Sequence, residues 1–180
     1  MWIVDTCVVL DVFENDPQFG KASAKLLEKL LPDGLAVSAV TMVELSAAFD
    51  GDISEQKRFL EQAGISHAEA WTFADTEAAQ RAWNAYVKAR RTDKVPKRPV
   101  ADLLIGSFAV NRQGLVTRNP SDFRRWFPVF EMPVMVFVAP MILVATVEVP
   151  EVKTDIPVIP FDLIKTPSPT VVSRSSSAEM

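Results

Sequence analysis

The chain begins Met1-Trp2-Ile3-Val4-Asp5-Thr6-Cys7-Val8-Val9-Leu10-Asp11, and the reading of this stretch decides the fold. Trp2 to Val4 has the uninterrupted apolar character of a short strand buried on both faces. Asp5 then sets a carboxylate at the end of that strand. Burying such a charge is costly unless a cap, a partner or a cation neutralises it. Which of these applies depends on what the rest of the chain brings beside it.

Outward from this strand, apolar runs alternate with amphipathic ones. Pro17 to Leu31 is expected to be a helix, with Phe19, Ala22, Leu26, Leu27 and Leu30 spaced by three and four and Asp16-Pro17 at its start. Pro32-Asp33-Gly34 breaks it. Leu35 to Ser38 reads as a strand and Thr41 to Phe49 as a helix. Asp52 and Glu55 resemble a capping box that opens a helix reaching Ala63 and closed by Gly64. Asp75 is placed to cap a helix over Thr76 to Arg91, and Pro99 suits the first turn of another over Val100 to Asn111. Leu115 to Thr117 reads as a strand, Ser121 to Trp126 as a helical turn and Val129 to Glu131 as a last strand. Short apolar strands separated by helices predict a three-layer α/β fold, with a short, mainly parallel sheet flanked by helices.

Composition narrows the chemistry. A chain of 180 residues, 48% hydrophobic and 23% charged, supports one domain with a proper core and excludes disorder throughout. Cys7 is the only cysteine, so no disulfide can form within the chain and no cysteine cluster can bind metal. No signal-peptide pattern is present, which makes the cytoplasm the expected compartment. His67 is the only histidine, which argues against histidine-based acid–base chemistry. Between Arg81 and Arg125 stand eleven Lys or Arg against Asp93, Asp102 and Asp122, although the whole chain carries a net charge of −4. A basic segment inside an acidic protein suits a polyanionic partner. A solvated basic helix face would look the same on charge alone.

Residues 133–180 differ in character from residues 1–132. They form a Pro-rich apolar stretch and then a Ser/Thr-rich one, expected to be partly disordered. The apolar part could pair as edge strands or cover a partner surface. Met132 to Val147 is interrupted by Pro133 and Pro140 and is shorter than the ~20 residues a membrane helix needs, so no membrane span is expected.

In an open parallel α/β sheet, sites form beyond the carboxyl ends of the strands. Four acids map there. Asp5 ends the first strand, and Glu44 lies one turn into the helix after the second. Asp102 lies in the first turn of the helix opened by Pro99, and Asp122 follows the strand Leu115–Thr117 across Arg118-Asn119-Pro120-Ser121. Each is flanked by apolar residues. Four carboxylates in one cleft cannot all stay ionised without a counter-charge, and a hard divalent cation bound through oxygen, Mg²⁺ or Mn²⁺, would supply it. Taken singly, each acid could instead be a helix cap or an exposed surface group.

The blocks IVDTCVVLD, VTMVELSAAF, RPVADLLIGSFAV and GLVTRNPSDF together resemble a PIN domain, and in particular a VapC-type toxin ribonuclease of a type II toxin–antitoxin system. The resemblance covers residues 1–132. It implies that Asp5, Glu44, Asp102 and Asp122 are the catalytic, metal-binding acids. Thr6, Thr117 and Asn119 would orient the acids or waters from behind. It also implies a Mg²⁺- or Mn²⁺-dependent endoribonuclease with an RNA substrate, a cognate antitoxin partner and a homodimeric state. Arg90, Arg91, Lys97 and Arg98 are the expected RNA contacts. Residues 133–180 have no counterpart in the resemblance. The alternative is a catalytically silent PIN-like module that binds RNA or protein. A phosphatase or nucleotide-binding protein fits less well, for want of a phosphate loop or an Asp-x-Asp nucleophile pair.

Overall fold

In the computed structural model, residues 1–92, 99–127 and 135–137 are described. Five parallel strands form one sheet in the order β3-β2-β1-β4-β5. They are β1 (Trp2–Val4), β2 (Leu35–Ala36), β3 (Ile65–Ser66), β4 (Gly114–Thr117) and β5 (Met135–Phe137). The central strand pairs on both sides, Ile3 with Ala36 and with Leu115. Alternation then sorts its side chains. Trp2 and Val4 enter one core with Val8, Leu27, Leu45 and Leu60, and Ile3 enters the other with Tyr86, Ile105, Phe108 and Leu115.

The helices are α1 (Thr6–Phe13), α2 (Gly20–Leu30), α3 (Ala39–Glu44), α4 (Ile53–Gln62), α5 (Phe73–Thr92), α6 (Val100–Val110) and α7 (Pro120–Arg124). The expected helix from Pro17 begins instead at Gly20. The Asp16 carboxylate accepts the backbone N–H groups of Gln18 and Phe19, holding residues 16–19 in a turn. The helix expected over Thr41–Phe49 is α3 continued by a tighter 3-10 turn, Leu45–Phe49. The Asp52 cap is present, donating partners being the N–H groups of Ser54 and Glu55, and Gly64 sits at φ +69° after α4. The strand expected over Val129–Glu131 lies outside the described residues. β5 pairs with β4 and lies beyond residue 132, where the first 132 residues were expected to end the domain.

Asp75 has a different role from the cap expected of it. Thr72 precedes α5 and its hydroxyl accepts the Asp75 N–H at 3.3 Å, while the Asp75 carboxylate accepts the Thr72 N–H at 2.8 Å. This is a capping box with Asp75 at its third helical position. The rest of the buried carboxylate faces Arg112 and Asn111 at the far end of α6, each 3.0 Å away. Burial alone would raise its pKa, but the hydrogen bonds from Asn111, Arg112 and Thr72 outweigh it and hold the group below its ordinary range. Arg112 also lies 3.4 Å over the Phe108 ring, so α5 and α6 are pinned as one layer. Removing one partner of a buried pair leaves an uncompensated charge. Arg112→Met is therefore expected to lower unfolding stability by about 3–5 kcal/mol in urea titrations; a loss below about 1 kcal/mol, the level of a surface pair, would contradict this role.

Candidate functional site

Because all five strands are parallel, their carboxyl ends share one edge, and the connections leaving it carry the acids. Asp5 leaves β1 as the N-cap of α1, its Oδ1 accepting the Thr6 N–H at 2.8 Å. The capping role and a site role are thus compatible in one residue. Its Oδ2 accepts the Thr117 hydroxyl at 2.6 Å and the Cys7 thiol at 3.2 Å. Thr117 ends the neighbouring strand β4 and is itself buried, and its hydroxyl also accepts the Asn119 N–H at 3.0 Å. Two strands and the first turn of α1 therefore converge on one carboxylate. Asp5 is 7% exposed, and burial raises its pKa; the hydrogen bonds from Thr117, Cys7 and Thr6 oppose that rise, and the Asp122 charge adds to it.

Glu44 ends α3, and its Oε2 accepts the Thr6 hydroxyl at 2.5 Å. Asp102 lies in the first turn of α6. Its pKa is raised to about 6, first by burial and then by the negative charges of Asp5, Asp122 and Glu44. Every one of those influences pushes the same way. Asp122 lies in the first turn of α7. Asp102 thus senses the other three acids, and Asp5 senses Asp122. Thr6 and Thr117 donate their hydroxyls to Glu44 and Asp5, and the Asn119 N–H is donated to Thr117.

The donor set is all hard oxygen, with an excess of negative charge and a protonation state strained toward neutrality, which suits a divalent cation such as Mg²⁺ or Mn²⁺. Among the described residues, no group of three or more His, Cys, Asp or Glu side chains is arranged to enclose an ion directly. Cys7 is no nucleophile here: burial and the Asp5 charge push its thiol up to about 12, leaving it a neutral donor to Asp5. His67 meets Glu61 at 3.2 Å on the α4 side, away from the acids.

Of the expected RNA contacts, Arg90 and Arg91 lie in the last turn of α5 and line an open cavity of about 440 Å³ with Trp83, Tyr86 and Val87. Lys97 and Arg98 lie outside the described residues. Sequence patterning missed a second buried acid. Asp11, on α1, is 2% exposed and accepts Arg118 Nη1 at 2.6 Å and the Ser23 hydroxyl at 2.7 Å. The available signal was a lone charge inside Val8-Val9-Leu10-Asp11-Val12-Phe13, where a carboxylate needs a partner.

The Asp102 shift has a consequence for stability. Its folded pKa, about 6, lies above the ordinary aspartate value of 3.8, so the native state holds the proton more tightly. Its contribution is therefore most favourable below pH 4 and is lost as pH rises through about 6. Metal-free Asp102→Asn should be more stable than wild type at pH 7, by on the order of 1 kcal/mol once solvent screening of this half-open site is allowed for. The gap should close toward pH 4 in thermal or urea unfolding. A gap of equal size at both pH values, or a less stable variant at pH 7, would contradict the shared field of the acids.

Comparison with curated proteins returned no match. Among solved structures, the chain is similar in fold to a chain in the crystal structure of VapBC2 from Rickettsia felis bound to a DNA fragment from their promoter. The TM-score is 0.52 at 15% identity, over 76% of this chain and 96% of that one. Among the described residues, no helix is long and apolar enough to cross a membrane. The family model of the PIN domain matches residues 2–126, a span running from β1 to the end of the α7 turn and carrying all four acids. With a parallel sheet whose carboxyl edge gathers Asp5, Glu44, Asp102 and Asp122, and with that match across most of its length, the chain belongs to the PIN domain family.

Proposed function

We propose that this protein is a Mg²⁺- or Mn²⁺-dependent endoribonuclease, the toxin component of a toxin–antitoxin pair. The observation that carries the reading is the placement of four acids at one sheet edge, where Asp5, Asp122 and Glu44 add to the raised pKa of Asp102. When bound, the cation supplies neutralising charge and lowers the pKa of a water positioned for attack on an RNA phosphodiester.

The chain's own residues prepare the cleft for that chemistry. Thr117, Cys7 and the Thr6 N–H fix the Asp5 carboxylate in one orientation. Thr6 holds Glu44 toward the same side. Asp102 must be ionised to serve, so activity requires a pH above its raised value or an ion that displaces its proton. Asp122 adds the fourth charge, and Asn119 keeps the Thr117 hydroxyl aimed by donating its N–H to it. Arg90 and Arg91, beside the exposed ring of Trp83, combine backbone-binding charge with an aromatic face, a pairing suited to unpaired RNA. Lys97 and Arg98 are proposed as further RNA contacts. The similarity to a VapBC2 chain supports a cognate antitoxin as partner, and the proposal takes the toxin to be a cytoplasmic homodimer.

A second reading, a silent PIN-like module that binds RNA or protein, draws on the lack of an ion-enclosing group among the described residues. One experiment separates the two. Purified protein is incubated with a single-stranded or loop-containing RNA and Mn²⁺, beside Asp5→Asn, Asp102→Asn and Thr117→Val. Cleavage is expected in wild type, abolished by EDTA and by either Asp→Asn change, and reduced roughly 10–100-fold in Thr117→Val, the usual cost of losing a residue that orients a metal ligand. Cleavage that survives in Asp5→Asn would end the nuclease reading at this site. RNA binding without cleavage in wild type would favour the silent module.

A further inference from the structure

The Asp11–Arg118 pair stands outside the four acids, yet it joins the turn between Thr117 and Asp122 to the helix that Asp5 opens. Arg118 follows Thr117 and precedes Asn119, at the centre of the turn between β4 and α7. Its side chain leaves that turn and is gripped by the α1–α2 elbow. The guanidinium donates to Asp11 at 2.6 Å and lies 4.5 Å over the Phe19 ring, and it helps to hold the Asp16 carboxyl below its ordinary range, after the Phe19 and Gln18 N–H groups. Asp11 is fixed from its far side by Ser23 of α2. The elbow has no slack: a side-chain carbon added at Gly20 would stand 2.9 Å from the Asp11 carbonyl oxygen.

We infer that Asp11 and Arg118 form a positioning pair that locks the β4–α7 turn onto α1, and so sets the alignment of Thr117 with Asp5 and of Asp122 with both. The argument is geometric. Thr117 and Asp122 flank the turn, and Asp5 heads the helix that carries Asp11. The pair clamps the two pieces of chain against each other within one helix length of the acids. A partly buried, charge-assisted Arg–carboxylate hydrogen bond is stronger and more directional than a neutral one. Asp11 also keeps the guanidinium committed away from the carboxylates, whose excess negative charge would otherwise attract it. The inference rests on the nuclease reading only for its catalytic readout.

The test compares Asp11→Asn, Arg118→Gln, Arg118→Lys and the Asp11→Asn/Arg118→Gln double variant with Asp52→Ala, which removes the α4 cap and touches neither member of the pair. Three quantities are measured: amide hydrogen exchange over residues 118–122, Mn²⁺ affinity by calorimetry, and kcat and KM for RNA cleavage. Asp11→Asn and Arg118→Gln are expected to speed exchange in the turn and to weaken Mn²⁺ binding and kcat by on the order of tenfold each, with KM nearly unchanged. Arg118→Lys should recover part of that loss. The double variant should lose no more than either single one, as expected for two halves of a single contact. Asp52→Ala should lower the melting temperature while leaving exchange in the turn and Mn²⁺ affinity near wild type. Turn exchange unchanged in Arg118→Gln would overturn the inference whether or not the protein proves to be a nuclease. So would an Asp52→Ala variant with the same Mn²⁺ and kcat losses, since the effect would then track stability alone. A wild type that neither binds Mn²⁺ nor cleaves RNA would end the functional reading but leave the exchange result to decide the positioning claim.

Discussion

The buried carboxylate of Asp5 is the constraint on which the site depends. It stands at the end of the central strand, 7% exposed, where an unsatisfied charge would cost several kcal/mol. The fold meets that cost with three donors drawn from separate places: the first N–H of α1, the thiol of Cys7 and the hydroxyl of Thr117 on the adjacent strand. To supply them, β1 and β4 must be neighbours in parallel register and α1 must begin immediately after β1. The topology and the chemistry are therefore tied at one residue. Shift β4 by one position and Thr117 turns to the other face of the sheet.

Around Asp5 the protein accumulates charge that its own stability disfavours. Asp102 sits in the first turn of α6, where the helix dipole favours an anion, yet its proton is held to about pH 6 by burial and by three neighbouring carboxylates. Unfavourable native electrostatics concentrated at one sheet edge mark a functional site more strongly than any one of the acids does. Elsewhere among the described residues, the buried acids outside the site have a cationic partner. Asp75 has Arg112, Asn111 and Thr72, and Asp11 has Arg118 and Ser23. The contrast shows that the cluster of four is not a general failure to pair charges.

Much of this was legible in the sequence, for identifiable reasons. The strands Trp2–Val4 and Leu115–Thr117 are short, apolar and bounded by a charge or a glycine, and α6 is announced by Pro99. The four acids are readable because each interrupts an apolar run at a strand end or a helix start. Helix α1 is not readable in Thr6-Cys7-Val8-Val9-Leu10, a β-branched run that favours strand; tertiary packing of Val8 and Val9 into the core overrides that preference. β3 is two residues long, too short for any period to appear. The partners of Asp11 and Asp75 lie 107 and 37 positions away, separations at which local patterning is silent. Capping at Thr72 was hidden because Asp75 is the stronger cap former by type, while the reciprocal bond to Thr72 assigns it the third helical position.

The central claim is that the four carboxylates act as one unit with a place for a divalent cation. Proton-linked Mn²⁺ binding tests it most directly. Calorimetric titrations at pH 6 in buffers of different ionisation enthalpy report the protons released per ion bound. The account predicts saturable binding with net proton release at pH 6, because Asp102 must ionise to accept the ion, release that vanishes by pH 8, and loss of the linkage in Asp102→Asn. Absence of saturable binding, or binding with the same proton count at pH 6 and pH 8, would contradict it.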